Sequence, residues 1–225
     1  MTELIPYKTV FNLLDLLRDL KIDWILLGDA NEDFPHRLKV SDDIDILVSP
    51  SDRKKLSQYF IQKGTNIQVH PSLQFCSISN NQFTFECYPF DTLNLDVVDS
   101  LYYCNLLRTK FYPLERFSLL DPFNNNRSRT YNRYEIKTLD IRSYMIFNIT
   151  KCILWKRHIN TQYLHVLNNC MEELKFSEIN SLLYPFFEDY SEQIYWDFKN
   201  CYVRDTIMNF HKYLGMTGRI PRSIM

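Results

Sequence analysis

Two aspartates one residue apart, Asp43 and Asp45, open the run DIDILV, and a third, Asp96, interrupts LNLDVV. Both runs are otherwise rich in strand formers. Aspartate is a poor strand residue, and burying a carboxylate without a partner is costly. Strand side chains alternate, so Asp43 and Asp45 share one face while Ile44 and Ile46 take the other. Two carboxylates on one face repel unless a cation lies between them, and Mg²⁺ or Mn²⁺ accepts such hard oxygen donors. If the strand of Asp96 neighbours Ile44–Val48, the three carboxylates form a cup. Phosphoryl-transfer enzymes use such cups to hold two metal ions ~3.5–4 Å apart. The competing reading is structural: Asp42 and Asp43 cap a turn, and Asp45 pairs with a lysine.

The surrounding sequence predicts the elements that would hold these residues. Val10, Leu13, Leu14, Leu17 and Leu20 form one helical stripe over 7–20. Residues 22–27 are apolar, end at Gly28 and read as a buried strand; 29–41 are polar, contain Pro35 and read as a loop. After the strand at 44–48, Ser51 reads as the cap of a helix that stops at Gly64. Strand formers then cluster at 65–70, 74–79 and 83–90, with Asn80-Asn81 as a hairpin turn, and 92–99 is a further strand. This order predicts an α/β fold, a mixed sheet with flanking helices. Residues 101–120 read as helix or irregular, and 121–134, with Pro122 and three consecutive asparagines, as a loop. From Leu139 the pattern is helical. Ile141, Met145, Ile149 and Cys152 form a stripe, and helices follow over 161–174, 177–187 and 190–213, with Pro185 arguing for a break and 215–225 extended. The expected organisation is an α/β domain over 1–138 and a C-terminal helical domain over 139–225.

Composition narrows the function classes. The 225 residues carry 26 basic and 27 acidic side chains, a balance that argues against a long nucleic acid as partner. Only four glycines are present, and none belongs to a phosphate-cradling GxGxxG or P-loop pattern. The six cysteines include no CxxC pair, so neither a zinc ribbon nor a redox motif is indicated. No signal peptide and no run near the ~20 apolar residues of a membrane span is evident, and the expected compartment is the cytoplasm. Lys151, Lys156, Arg157 and His158 make a basic helix end, from which Lys151 could clamp a phosphate as a point charge. Arg37 and Lys39 could neutralise the aspartates or meet a phosphate, whereas Arg127, Arg129 and Arg133 read as surface charge in a polar loop. The oligomeric state has no sequence signal.

The segments WILLGD, DDIDILV and LNLDVV, spanning residues 24–98, together resemble the nucleotidyltransferase superfamily. In that superfamily a strand ending in Gly-Ser or Gly-Gly precedes an acidic-x-acidic strand, and a third acidic residue follows two strands later. The resemblance implies that Asp43 and Asp45 bind two Mg²⁺ or Mn²⁺ ions. It implies that Asp96 binds the catalytic one and helps to lower the pKa of an attacking hydroxyl. It also places Gly28 and Asp29 at the donor nucleotide. Within the superfamily the chain is similar to small proteins found with bacterial surface-polysaccharide genes, which share a DIDILV opening and a later LWK helix, here ILWKRHINTQYL. It also looks like the LicD-type phosphocholine transferases, whose pattern is similar to LLGDANEDFPHRLKVSDDIDILV. The implied activity is metal-dependent transfer of a nucleotidyl or related phosphoryl group from a nucleotide donor to a small-molecule or glycan hydroxyl, in surface-polysaccharide biosynthesis. Asp29 stands where the superfamily has Ser or Gly, and a carboxylate there repels a polyphosphate unless it faces metal or solvent. Two alternatives follow: a CDP-linked donor, or a catalytically silent binding or scaffold protein that keeps the fold.

Overall fold

The computed structural model describes residues 5–28, 34, 43–65, 68–69, 85–90, 93–107, 111–114, 120–158, 161–217, 221 and 224. The chain divides into two compact units, Met1–Leu101 with Pro122–Asp140 and Tyr102–Asp121 with Ile141–Met225. The described strands are β1 (Trp24–Leu26), β2 (Asp43–Val48), β3 (Gln68–Val69), β4 (Phe85–Phe90), β5 (Leu93–Val98), β6 (Tyr102–Cys104), β7 (Phe111–Pro113), β8 (Asn126–Tyr131) and β9 (Tyr134–Leu139).

Seven of these strands form the sheet of the first unit, in the order β3-β4-β5-β2-β1-β9-β8. The sheet is mixed: β2 runs parallel to β5 and β1 parallel to β9, while the other neighbours are antiparallel. Helices α1 (Tyr7–Asp19) and α2 (Pro50–Gln62) pack on one face. The predicted stripe of α1 buries Val10, Leu13, Leu14 and Leu17, each leucine contributing about 1.5–3 kcal/mol. These side chains share a core with Leu56 and Phe60 of α2, with Ile44, Ile46 and Val48 of β2, and with Leu93, Leu95 and Val97 of β5. The intervening residues of β2 and β5, Asp43, Asp45 and Asp96 among them, therefore point to the face away from these helices.

Both helices end in the same backbone motif. The N–H groups of Lys21 and Ile22 donate to the Arg18 and Leu17 carbonyls, and those of Gly64 and Thr65 donate to Ile61 and Phe60, each at 2.9 Å. The motif needs one left-handed residue, supplied by Gly64 at φ 74° and by Lys21 at φ 52°. The start of α2 corrects the expected Ser51 cap. Ser49 is the cap, its hydroxyl accepting the Asp52 N–H at 3.1 Å. Pro50, lacking an N–H and fixed in φ, suits the first helical position, so the helix begins one residue before Ser51.

The expected loop at 121–134 is also corrected, because 126–139 form the β8–β9 hairpin. Asn132 takes φ 51° in its two-residue turn. β8 lies at the sheet edge and buries no side chain, so it lacks the alternation of a half-buried strand. Of the strands expected over 65–90, the residues at 70–84 and the Asn80-Asn81 turn lie outside the described residues.

In the second unit, β6 and β7 pair antiparallel where helix or irregular chain was expected. Helix α3 (Ile141–Thr150) buries every residue from Ser143 to Thr150 and continues as a π-helix over Lys151–Lys156. There follow α4 (Thr161–Glu173), α5 (Phe176–Phe187), a 3₁₀ turn at Glu188–Tyr190, α6 (Ser191–Lys199) and α7 (Val203–Thr217). Pro185 sits in the last turn of α5 without breaking it. The single helix expected over 190–213 is two helices, parted by a third copy of the terminal motif. Cys201 and Tyr202 N–H groups donate to Phe198 and Asp197 carbonyls, with Cys201 at φ 63°. Across this break the buried Asp197 carboxylate accepts from Gln193 at 2.6 Å and from Thr206 at 2.7 Å, tying α6 to α7. Because α7 continues to Thr217, helix extends into the stretch expected to be extended from 215. Among the described residues no helix is long and apolar enough to cross a membrane.

Candidate functional site

The parallel pairing of β2 with β5 puts Asp45 opposite Asp96 and Asp43 opposite Asn94. Neighbouring strands run about 4.8 Å apart, so Asp45 and Asp96 stand side by side on the face away from α1 and α2. On the far side of Asp96, antiparallel β4 brings Cys87 into direct register with it. On the far side of Asp45, the Leu27 N–H donates to the Asp45 carbonyl at 2.9 Å, just before Gly28. The row Cys87–Asp96–Asp45 thus crosses three strands and runs toward the glycine that closes β1. Asp96 is 3% exposed, Asp45 half-buried and Asp43 exposed, so the carboxylates grade from core to surface.

The charges converge on Cys87. Its thiol is pushed up to about 12, first by burial, then by its hydrogen bond to Asp96, then by the negative charges of Asp96, Asp43 and Asp45. Each of these disfavours a thiolate, so at neutral pH the thiol is protonated and donates. Among the described residues Asp45 makes no ion pair, so the lysine partner of the competing structural reading is not among them. Arg37 and Lys39 lie outside the described residues.

The donor set suits a hard divalent cation in type and in register. Among the described residues, no three His, Cys, Asp or Glu side chains are gathered closely enough to form a closed cage. Mg²⁺ does not need one, because it keeps several waters and is held by one or two carboxylates together with substrate phosphates. The Asp45–Asp96 pair fits a site of that open kind.

The remaining candidates are placed as follows. Gly28 is exposed, and a Cβ built there would meet nothing within 4 Å, so packing does not require glycine. Asp29 lies outside the described residues. Lys151 opens the π-helix of the second unit, its ammonium 5.2 Å from the Phe147 ring and 5.9 Å from the Trp155 ring. Arg157 donates to the Leu106 carbonyl at 2.9 Å, and Arg133 grips both Asp15 oxygens at 2.9 Å. Arg129 donates to the Phe34 carbonyl at 2.9 Å.

Sequence reasoning did not single out Cys87. A signal existed: Phe90 pairs with Leu93, and counting outward from that pair puts Cys87 opposite Asp96. The strand that carries it is pinned from the other face. Glu86 accepts from Arg53 at 3.1 Å, from Ser57 at 3.0 Å and from the Tyr88 hydroxyl, while Arg53 also donates to Asp99 at 2.9 Å. This network fastens α2 to β4 and to the end of β5. Burial, and then the bond to Glu86, push the Tyr88 hydroxyl well above the usual phenol range.

Two solved structures have similar backbones. The antibiotic-resistance factor ANT(2'')-Ia aligns with a TM-score of 0.47 and 10% identity, over 91% of this chain and 96% of its own. An antigenic nucleotidyltransferase-like protein from Paracoccidioides brasiliensis aligns with a TM-score of 0.45 and 12% identity, over 88% of this chain and 89% of its own. No family model and no curated protein matches the chain.

Proposed function

We propose that the protein transfers a nucleotidyl or related phosphoryl group from a nucleotide donor to a hydroxyl of a sugar or glycan precursor, as in surface-polysaccharide biosynthesis. The observation that carries this reading is the direct register of Asp45 with Asp96 on adjacent parallel strands, away from the helix-packed core. Asp45 and Asp96 would hold Mg²⁺ or Mn²⁺, and Asp43, two residues out toward solvent, would reach a second ion or its water shell. When bound, such ions neutralise charge on the transferring phosphoryl group and orient an in-line attack. The acceptor oxygen would form the new O–P bond as the donor's bond to its leaving group breaks, releasing pyrophosphate from a nucleoside triphosphate or CMP from a CDP-linked donor, with the hydroxyl proton passing to water. Asp96, the most buried of the three, would draw the hydroxyl toward ionisation. Gly28, exposed beyond the end of β1, would leave room there for a donor.

The feature that favours a catalytically silent binding protein instead is the lack of a closed three-ligand cluster among the described residues. A thermal-shift screen of the four nucleoside triphosphates and several CDP-linked donors, with and without Mg²⁺, separates these readings. An active transferase gives Mg²⁺-dependent stabilisation by one donor class, abolished in Asp96→Asn, and turns that donor over with an acceptor. Stabilisation by CDP-linked donors alone selects the phosphocholine-transferase-like chemistry. Nucleotide binding without Mg²⁺ dependence or turnover selects the silent protein.

A further inference from the structure

We propose that Cys87 is a positioning residue whose S–H donates to Asp96 and sets the arrangement in which the Asp45–Asp96 pair receives a divalent cation. The inference rests on the carboxylate-site reading above and assigns a role to a residue outside the acidic motif. Directly opposed residues of an antiparallel pair have Cβ atoms about 4.5–5.5 Å apart, within reach of a thiol–carboxylate hydrogen bond. Cys87 and Asp96 are such a pair, and Asp45 flanks Asp96 on its other strand neighbour. Asp96 thus has a neutral donor on one side and a second carboxylate on the other.

A carboxylate with both neighbours charged would turn away from them. One with a donor on one side has an oxygen engaged there, and its rotation is stopped. The donor is itself held in place. Glu86 and Tyr88, flanking Cys87 in sequence, point to the opposite face and are bonded to Arg53 and Ser57 of α2. The strand therefore cannot twist to withdraw the thiol without breaking that network. Groups that hydrogen-bond a metal-ligating side chain typically change metal affinity by about 10–100-fold when removed.

The test is Mn²⁺ titration of the full chain by calorimetry, together with melts in EDTA, for wild type, Cys87→Ser, Cys87→Ala and Cys87→Val. Serine keeps a donor; alanine and valine remove it, and valine suits a strand. The expected result is wild-type-like Mn²⁺ affinity in Cys87→Ser and affinity weaker by at least about tenfold in both Cys87→Ala and Cys87→Val. If alanine prevents folding, the serine–valine comparison decides. Equal Mn²⁺ affinity across the variants, with only the EDTA melts changed, would reduce Cys87 to a packing residue and overturn the proposal. Equal weakening in serine and valine would overturn it as well, because the donor would then be irrelevant. Wild type that binds no Mn²⁺ overturns the metal-site reading itself, an outcome distinct from the other two.

Discussion

At Asp45, charge repulsion and cation binding make opposite demands, and this gives the site its most direct test. Asp45 lies beside Asp96 and makes no ion pair among the described residues. Asp45→Asn is therefore expected to leave the metal-free protein as stable as wild type or more so, because like charges are relieved. The same variant should lose the stabilisation that Mg²⁺ confers on wild type. Urea melts of both proteins in EDTA and in Mg²⁺ read this directly, and a large loss in EDTA would mean that Asp45 serves a side-chain cation instead. Glu86 presents the reverse case. Its carboxylate accepts from three side chains on the helix-packed face, so Glu86→Gln leaves Arg53 with Asp99 as its remaining carboxylate partner among the described residues and turns one acceptor of the network into a donor. A hydrogen bond to a charged group is worth about 1.5–3 kcal/mol, and the 25% exposure of the Arg53 side chain puts the expected loss at the lower end. A urea melt unchanged within error would show that Asp99 alone suffices for Arg53.

Three helices, α1, α2 and α6, close with the same pair of terminal bonds, yet only α2 uses glycine. A left-handed non-glycine residue costs roughly 1–2 kcal/mol. Lys21→Gly is accordingly expected to stabilise the protein by up to about 1 kcal/mol, since glycine also carries more freedom in the unfolded chain. Denaturant midpoints of wild type and Lys21→Gly measure it, and a lower midpoint for the variant would mean that the lysine side chain contributes contacts exceeding the strain. The same scarcity explains what was legible in the sequence. The C-terminal ends of α1 and α2 are legible because an apolar stripe or a glycine marks them. The break between α6 and α7 was missed because Cys201 fills the place where a glycine would have announced it. The carboxylate motif was legible because alternation fixes which face Asp43 and Asp45 share. Cys87 was not, since its place depends on register between strands. The β8–β9 hairpin was hidden by asparagines, which are read as loop but here supply the left-handed turn residue.

Over the whole molecule, a buried and a partly buried acid of the second unit, Cys152 and Tyr190, set an alkaline limit. Burial pushes the Cys152 thiol from 9.0 up to about 11, against the pull of Lys151 and Lys156. Burial, then the charge of Asp197, pushes the Tyr190 hydroxyl from 10.0 up to about 12. Each group keeps its proton in the folded state to a higher pH than in the unfolded chain. Their contribution is therefore fully present below about pH 9 and is lost as pH rises from about 9 toward 12. Urea melts across that range should show stability falling with pH, less steeply in Cys152→Ala and Tyr190→Phe; a flat profile would contradict both shifts. Connectivity acts at the same scale. The chain leaves the first unit after Leu101, returns at Pro122 and leaves again after Asp140, so neither unit is a contiguous piece of polypeptide. Strand β1 has β2 on one side and β9 on the other, and β9 begins only at Tyr134. A ribosome delivers the chain N-terminus first. Every nascent chain therefore passes through an interval in which β1, one strand away from the paired carboxylates, presents an unpaired edge to its surroundings, and a translational pause before Tyr134 lengthens the time during which that edge is open to another chain or a chaperone.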